Sequence, residues 1–168
     1  MKILGKYPST RLRRVRNSDW IRRLVSENNL SVNDLILPIF ITEGKNKKEI
    51  IKTMPGIKRY SLDKLSNILD EAEKFKIPMI ALFPNISNLK KDQKGSEALN
   101  ENNLVCKAIK LIKKKYNKFG VMTDVALDPY TSHGHDGIIL NGKIDNDETL
   151  KILEKQALLQ ASVGSDVI

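Results

Sequence analysis

Short apolar runs alternate along the chain with segments of helical periodicity. Apolar runs of strand length occupy residues 35–41, 78–83 and 120–127, and another opens at residues 166–168. Continuous runs of this kind are typical of strands buried on both faces. Three intervening segments carry apolar residues every three or four positions, as one face of a helix does. The pattern predicts the order β-α-β-α-β-α-β, with parallel pairing and right-handed crossovers.

Turn and capping residues mark the ends of these elements. Ser18-Asp19 predicts the start of a short N-terminal helix, Ser61 that of the first crossover helix and Asn146 that of the third. Met54-Pro55-Gly56 predicts a turn, and Pro38 predicts a bulge or an end within the first strand. The apolar faces expected of the crossover helices are Leu62, Leu65, Ile68, Leu69 and Ala72; Val105, Ala108, Ile109 and Ile112; and Leu150, Leu153, Ala157 and Ala161.

The alternation leaves two α/β folds, an open doubly wound sheet or a (β/α)8 TIM barrel. No glycine-rich phosphate loop follows the first strand, which weakens the nucleotide-binding form of the open sheet. The polar groups instead cluster after the third strand, on the face where barrel enzymes hold their chemistry. A barrel usually needs about 250 residues. The 168 residues therefore predict only the first three to four βα units, ending at the start of strand 4.

Basic charge is concentrated at the N-terminus. Residues 1–23 carry eight lysines and arginines against Asp19 alone, so +7 of the net charge of +9 lies there. We predict a basic arm with a short helix over residues 1–30 and the barrel portion over residues 31–168. The arm could bind a polyanion, direct the chain to an organelle or pack on a partner subunit. Because few aromatic residues accompany the basic ones, no nucleic-acid partner is expected, and the subunit arm is favoured.

Membrane and secretory signals are absent from the sequence. No apolar run approaches the roughly 20 residues that cross a bilayer, and the N-terminus lacks the apolar core of a signal peptide. The single cysteine, Cys106, cannot form an internal disulfide, and its apolar neighbours predict a small buried side chain. These features predict a cytoplasmic protein without a membrane partner, with a plastid-like organelle as the alternative compartment.

The segment at residues 123–137 has the greatest density of reactive side chains. Asp124, Asp128 and Asp136 supply three carboxylates. Alternation along a strand puts residues 124, 126 and 128 on one face, so Asp124 is expected to be a buried carboxylate in the barrel interior. Carboxylates suit Mg²⁺ or another hard cation, and they also suit a substrate ammonium group.

Two histidines, His133 and His135, stand in the same segment. A His-x-His pair can bind a transition metal, which makes a metal-dependent hydrolase barrel an alternative enzyme class. Two such residues in a loop need not aim at one point, so hydrogen bonding that holds the loop in shape is the favoured role. The non-enzyme alternative is a half-barrel that serves as an assembly or binding module through its basic arm.

The sequence of residues 124–137, Asp-Val-Ala-Leu-Asp-Pro-Tyr-Thr-Ser-His-Gly-His-Asp-Gly, closely resembles the metal-site loop of the 5-aminolevulinate dehydratases, also called porphobilinogen synthases. The resemblance covers almost the whole chain. The other motifs follow in the family's order and are Arg11-Leu-Arg-Arg14, Asp34 to Phe40, Met54-Pro-Gly56, Ala81 to Pro84, Gly95 to Ala98 and Asn146 to Thr149.

The resemblance implies a (β/α)8 barrel that joins two molecules of 5-aminolevulinate into porphobilinogen with loss of water, in tetrapyrrole and heme biosynthesis. The family works through lysine Schiff bases on later strands. We therefore expect no catalytic lysine before Ile168, a chain that is part of a longer enzyme, and no activity from this chain alone. The family's arm wraps a neighbouring barrel, which implies a homo-oligomer, commonly an octamer.

The resemblance also bears on metal use. Zinc-using members place three cysteines at the positions of Ala126, Asp128 and Asp136, and these residues do not make a zinc triad. The sequence therefore resembles the magnesium-responsive or metal-independent branch, in which an allosteric magnesium would have its ligands outside this chain. The residues expected at the site are Asp128 and Asp136 in contact with the cation or the substrate amine, supported by Asp124 and, more weakly, by Tyr130 and Ser132.

Overall fold

The computed structural model describes residues 5–168 and divides the chain into two compact units, Met1–Ser31 and Val32–Ile168. Lys2, which was counted in the charge of the arm, lies outside the described residues. The first unit contains a 3-10 turn at Arg14–Arg16 and helix α1 (Asp19–Leu24), the short helix that the sequence predicts. No side chain of α1 is buried.

A five-stranded sheet forms the second unit. Its strands are β1 (Ile36–Thr42), β2 (Lys48–Ile50), β3 (Lys58–Ser61), β4 (Met79–Asn85) and β5 (Gly120–Thr123). The order is β2-β3-β1-β4-β5, in which β1, β4 and β5 are the parallel neighbours that the pattern predicts. The polar strands β2 and β3 give no apolar signal in the sequence. β3 lies parallel to the end of β1, and β2 pairs antiparallel with β3.

β1 runs through Pro38 without a bulge, so the predicted break is wrong. The register with β4 is continuous from Ile36 opposite Met79 to Thr42 opposite Asn85. On its other side, β3 pairs only with the last three residues of β1. No described strand therefore lies beside Pro38 on that side to need its missing N–H.

Two crossover helices cover one face of the sheet. They are α2 (Leu65–Lys74) and α3 (Leu104–Lys115). Their buried faces confirm the periodicity read from the sequence and include Leu65, Leu69, Ala72, Val105, Ala108, Ile109 and Ile112. The opposing strand residues in the same core are Ile39, Ile41, Ile80, Leu82 and Val121. Cys106 is fully buried beside them, and burial raises the pKa of its thiol.

Ser61 does not cap the first crossover helix as predicted. Its hydroxyl instead accepts a hydrogen bond from the backbone N–H of Lys47 at 2.9 Å and so ties β3 to the preceding loop. The chain then passes through a 3-10 turn at Leu62–Lys64 before α2 begins.

The region after β5 departs most from the prediction. β5 ends at Thr123 rather than at residue 127, and a hairpin of β6 (Ile138–Leu140) and β7 (Lys143–Asp145) follows the loop. Helix α4 (Asn146–Ser162) is capped by Asp145, not by Asn146, because the Asp145 carboxylate accepts from the N–H of Glu148 at 2.9 Å.

The most buried positions of α4 are polar, although Leu153 of the predicted apolar face packs, partly buried, against the core. The buried residues of this helix are Thr149, Gln156 and Gln160, whereas Leu150 and Ala161 of the predicted face are exposed. Where the sequence predicts the start of a fourth strand, Val167 forms an isolated parallel bridge with Met122, next to the end of β5. Among the described helices, none is long and apolar enough to cross a membrane.

Asn103 supports the start of α3, and its loss should destabilise the fold. Its carboxamide oxygen accepts from the N–H of Cys106 at 2.8 Å, while its nitrogen donates to the carbonyls of Glu97 and Ala98 at 3.3 Å. Asn103→Ala should lower the free energy of unfolding by about 1–3 kcal/mol, since it removes a helix cap and leaves buried carbonyls unpaired. Urea unfolding followed by circular dichroism measures the change.

The adjacent Asn102→Ala is the control, because Asn102 is exposed and its side chain is outside this network. Equal losses in the two variants would contradict the capping role.

Candidate functional site at the carboxyl ends of the strands

A cavity of about 270 Å³ opens where β1, β4 and β5 end. Phe40 and Phe83 form part of its wall, with ring centroids 5.5 Å apart. Asp124 and Asp128 lie on the β5 side of the cavity. Parallel strands bring their carboxyl ends to one edge, which is why residues more than 80 positions apart line the same space.

Two glutamines of α4 hold the chain that leaves β5. The side-chain amide of Gln160 donates to the carbonyl of Asp124 at 3.0 Å, and that of Gln156 donates to the carbonyl of Ala126 at 3.1 Å. The hydroxyl of Thr123 donates to the Gln160 carbonyl oxygen at 3.0 Å. These bonds satisfy backbone groups where the strand ladder stops. The sequence interpretation missed both glutamines, although their spacing of four residues places them on one helical face.

Asp128 and Asp136 come together as the sequence predicts. The backbone N–H of Asp128 donates to a carboxylate oxygen of Asp136 at 3.3 Å. Partial burial raises the pKa of the Asp128 carboxyl to about 6, and a hydrogen bond with Asp136 and the negative charges of Asp136 and Asp124 add to the rise. Near neutral pH, Asp128 therefore exchanges protons more readily than an ordinary aspartate.

Asp124 is exposed, so its predicted burial is wrong. The strand ladder ends one residue before it, and its carboxylate faces the cavity mouth with Asp128. Its charge is one of the causes of the raised Asp128 pKa, which places the two carboxylates in one electrostatic cluster.

Tyr130 and Thr131 anchor the loop instead of facing the solvent. Both are buried, and burial raises the pKa of the Tyr130 phenol. The loop pairs with the segment after β4, because the N–H of Ser132 donates to the carbonyl of Asp92 at 2.8 Å and the Asp92 N–H donates to that of Tyr130 at 3.3 Å. Ser132 itself is exposed.

The histidines are arranged to hold the loop. The backbone N–H of His135 donates to Nδ1 of His133 at 3.2 Å, so His133 carries its proton on Nε2, which lies 3.3 Å from the carbonyl of Gln93. Both ring nitrogens of His133 are thereby engaged within the loop. The arrangement leaves His133 no nitrogen for a metal and speaks against the hydrolase alternative.

Cation binding would rest on the aspartates. Within residues 5–168, no group of three or more histidine, cysteine, aspartate or glutamate side chains is arranged to hold a metal ion. Asp128 and Asp136 could supply two oxygen ligands to a hard cation that keeps several waters, as Mg²⁺ commonly does. The same carboxylates could instead receive an ammonium group.

The fold and the site define a partial (β/α)8 barrel with an acidic site at the carboxyl ends of its strands, the usual position in barrel enzymes. The family described as delta-aminolevulinic acid dehydratase matches residues 9–168, and the chain belongs to that family. The match spans almost all of the described structure.

Individual relatives agree with this assignment. A delta-aminolevulinic acid dehydratase of Bradyrhizobium diazoefficiens is 52% identical over 158 residues, which cover 94% of this chain and 45% of that protein. One from Methanothermus sociabilis is 48% identical over 166 residues, or 97% of this chain and 50% of that protein. The chain thus spans about half the length of these curated relatives.

A solved structure shares the fold. The delta-aminolevulinic acid dehydratase (porphobilinogen synthase) of Toxoplasma gondii, in complex with the reaction product porphobilinogen, superposes with a TM-score of 0.84 at 36% identity. The match covers 94% of this chain and 45% of the Toxoplasma chain. It confirms the partial (β/α)8 barrel, which is one of the two folds that the strand and helix pattern allows.

The raised pKa of Asp128 predicts a pH dependence of stability. Between the ordinary carboxyl pKa of 3.8 and the folded value of about 6, the folded chain keeps a proton that the unfolded chain releases. Stability from this group therefore falls as the pH rises through that window. Asp128→Asn removes this pH dependence of the free energy of unfolding. The variant should therefore compare more favourably in stability with the parent at pH 7.5 than at pH 4. Thermal unfolding across this pH range measures it.

Glu154→Gln is the control, because Glu154 is an exposed carboxylate of α4 away from the cluster. Its pH profile should parallel that of the parent. A profile of Asp128→Asn that also parallels the parent would show that Asp128 titrates normally.

Proposed function

We propose that this chain forms the β1-to-β5 side of a porphobilinogen synthase, which condenses two molecules of 5-aminolevulinate and releases water. The observation that carries the proposal is the position of Asp124 and Asp128 at the cavity on the carboxyl ends of the strands, in a chain that belongs to the dehydratase family. The lysines that form Schiff bases in the family would come from strands beyond Ile168.

The aspartates have a direct role in this chemistry. 5-Aminolevulinate carries an ammonium group, a ketone and a carboxylate. Asp124 and Asp128 attract the ammonium group, and Asp128 can accept a proton from it because its pKa of about 6 is close to neutral. The bound ammonium group reduces the like-charge repulsion among the three carboxylates, so Asp128 is ionised beside it, and the ionised form is the one that can accept a proton.

Magnesium, rather than zinc, is the proposed cation for the Asp128–Asp136 pair. The two carboxylates suit a hard, hydrated cation. Together with Ala126, they offer none of the sulfur or nitrogen donors that zinc prefers. When bound, such a cation would neutralise the acidic cluster and orient oxygen or nitrogen groups of the substrate.

The arm is proposed to pack on a second copy of the protein. Several of its apolar side chains are exposed: Tyr7, Leu12, Trp20 and Leu24. Exposed apolar residues in a short basic segment are typical of a subunit contact. A homo-oligomer, as large as the octamer predicted from the resemblance, would bury them.

The activity can be tested with a chimera. Residues 1–168 are joined to the part of the Bradyrhizobium diazoefficiens protein that lies beyond its matched segment. The chimera should form porphobilinogen from 5-aminolevulinate, and the 168-residue chain alone should form none. Asp128→Ala in the chimera should lower kcat by about 100-fold, in the range expected for loss of a group that transfers protons.

The undivided Bradyrhizobium protein is assayed in parallel as the positive control. A chimera with native circular dichroism and no product, beside an active control, would contradict the proposed function. Full activity of Asp128→Ala would contradict the role of Asp128 alone.

Metal use can be tested by converting the site. Ala126→Cys, Asp128→Cys and Asp136→Cys together should create a zinc site, because three thiolates meet where zinc-using relatives are expected to have them. The triple variant should bind Co²⁺ with the intense absorption of thiolate ligation, and the parent chain should not. A variant carrying only Ala126→Cys controls for adventitious binding. Absence of the absorption in a folded triple variant would show that the three positions do not converge.

A further inference from the structure

A turn that follows β4, the Asp92 turn (residues 92–96), runs alongside the acidic loop (residues 124–137). The Ser132 N–H donates to the Asp92 carbonyl at 2.8 Å, and the Asp92 N–H donates to the Tyr130 carbonyl at 3.3 Å. These bonds continue the parallel course of β4 and β5 beyond the point where the two strands stop pairing. The turn therefore holds the backbone of the acidic loop near its centre.

The Asp92 side chain gives the turn its shape. Its Oδ1 atom accepts hydrogen bonds from the backbone N–H groups of Lys94 at 2.9 Å and Ser96 at 3.0 Å. Partial burial opposes ionisation of Asp92, but the hydrogen bonds from Ser96, Lys94 and Gly95 outweigh it and hold the pKa of this carboxyl below its ordinary value. The side chain is therefore a carboxylate at neutral pH, the form that accepts backbone N–H groups most strongly.

Gly95 brings the turn into contact with the acidic loop. Its φ of +64° lies in the left-handed region, which a residue with a side chain adopts only under strain. Gly95 is buried, and a Cβ atom at this position would lie 3.5 Å from side-chain atoms of Leu127 and Thr131. The backbone of the turn thus packs directly on side chains of the loop, in addition to the hydrogen bonds between them.

An ion-pair network ties the Asp92 turn to the end of β1. The Lys90 Nζ atom, two residues before the turn, lies 2.5 Å from Oε1 of Glu43 and 3.4 Å from Oε1 of Glu97. Oε2 of Glu43 accepts from the backbone N–H of Ser87 at 2.9 Å. Because Glu43 directly follows β1 and Glu97 directly follows the turn, the turn is anchored on both sides. It can therefore hold the acidic loop in place.

The acidic loop needs such an anchor, because its own charges repel one another. Asp128 and Asp136 are close, since the Asp128 N–H donates to an Asp136 carboxylate oxygen at 3.3 Å, and Asp124 adds a third negative charge nearby. Like charges at this range favour an opened loop. The residues that bond to the turn lie in the middle of the connection between Asp128 and Asp136.

We propose that Asp92 is a positioning residue, whose carboxylate fixes the turn at residues 92–96 and thereby keeps Asp128 and Asp136 together against their mutual repulsion. Asp92 does not line the cavity, so it acts through the backbone of the acidic loop rather than by contact with a substrate or cation. The inference rests on the proposed function for its effect on the reaction. The approach of positions 128 and 136 can be measured independently of that reaction.

Cobalt binding to the triple variant with cysteine at positions 126, 128 and 136 measures this approach on the 168-residue chain. Asp92→Ala in that background should weaken Co²⁺ binding by about tenfold or more, the scale of losing a residue that orients metal ligands. Asp92→Asn should retain most of the affinity, because its side-chain oxygen can still accept from Lys94 and Ser96. The affinity is obtained by titrating the thiolate absorption.

Asp63→Ala is the matched control. Asp63 is also exposed, and its carboxylate likewise accepts a backbone N–H, that of Asn46 at 2.9 Å, in the loop after β1. This change should leave the Co²⁺ affinity unchanged. Equal losses with Asp63→Ala and Asp92→Ala, or with Asp92→Asn and Asp92→Ala, would overturn the proposal. Equal affinities in the triple variant with and without Asp92→Ala would also overturn it.

Gly95→Ala decides the question if Asp92→Ala does not fold. It keeps the Asp92 carboxylate but strains the left-handed position, so it should also weaken Co²⁺ binding. An unchanged affinity in folded Gly95→Ala would then overturn the proposal. A folded triple variant without the thiolate absorption would overturn it as well, because the positions that Asp92 is proposed to hold together would not converge.

The chimera separates this inference from the proposed function. Asp92→Ala in the chimera should lower kcat by about tenfold or more, since small displacements of reacting groups are costly. If the parent chimera forms porphobilinogen and Asp92→Ala leaves its kcat unchanged, the inference fails and the proposed function stands. If Asp92→Ala weakens Co²⁺ binding but the folded parent chimera forms no product beside an active Bradyrhizobium control, the positioning role stands and the proposed function fails.

Discussion

Parallel pairing of β1 with β4 over seven residue pairs is the constraint on which the rest of this chain depends. Parallel strands require long crossovers, which here are α2 and α3, and the helices bury the apolar side of the sheet. The parallel pairing of β1, β3, β4 and β5 brings the carboxyl ends of these four strands to one edge. The loop that carries the aspartates therefore meets Phe40 of β1, Phe83 of β4 and Arg59 of β3 at this edge, although no local sequence signal brings them together.

Side-chain hydrogen bonds replace strand pairing beyond the end of β5. Beyond Thr123, the side chains of Gln156 and Gln160 donate hydrogen bonds to backbone carbonyls. In a longer strand, those carbonyls would pair with the neighbouring strand. This holds the acidic segment in an extended path without burying Asp124. The three carboxylates can lie close together because all of them retain access to solvent, and the charges of Asp136 and Asp124 add to the effect of partial burial in raising the pKa of Asp128.

The sequence predicted the elements that depend on apolar periodicity and missed those that depend on polar side chains. The cores of α2 and α3 follow from the spacing of leucine, isoleucine and alanine, and the position of Asp128 follows from the strand that precedes it. The buried face of α4 was assigned to leucines and alanines, of which Leu153 packs against the core, but Gln156 and Gln160 occupy its most buried positions. Hydropathy cannot distinguish a glutamine that faces solvent from one that satisfies a buried carbonyl. Likewise, nothing local to Arg59 shows that it stands beside Phe40, since that neighbour arises from strand register.

The single cysteine gives this chain a built-in chemical reporter. Cys106 sits at the first turn of α3, with no exposed surface and a thiol whose pKa is raised by burial. A thiol reagent can reach it only when α3 separates from the sheet, and no second thiol competes. The rate at which a thiol reagent labels the folded chain therefore measures how often α3 separates from the sheet, and no probe has to be introduced.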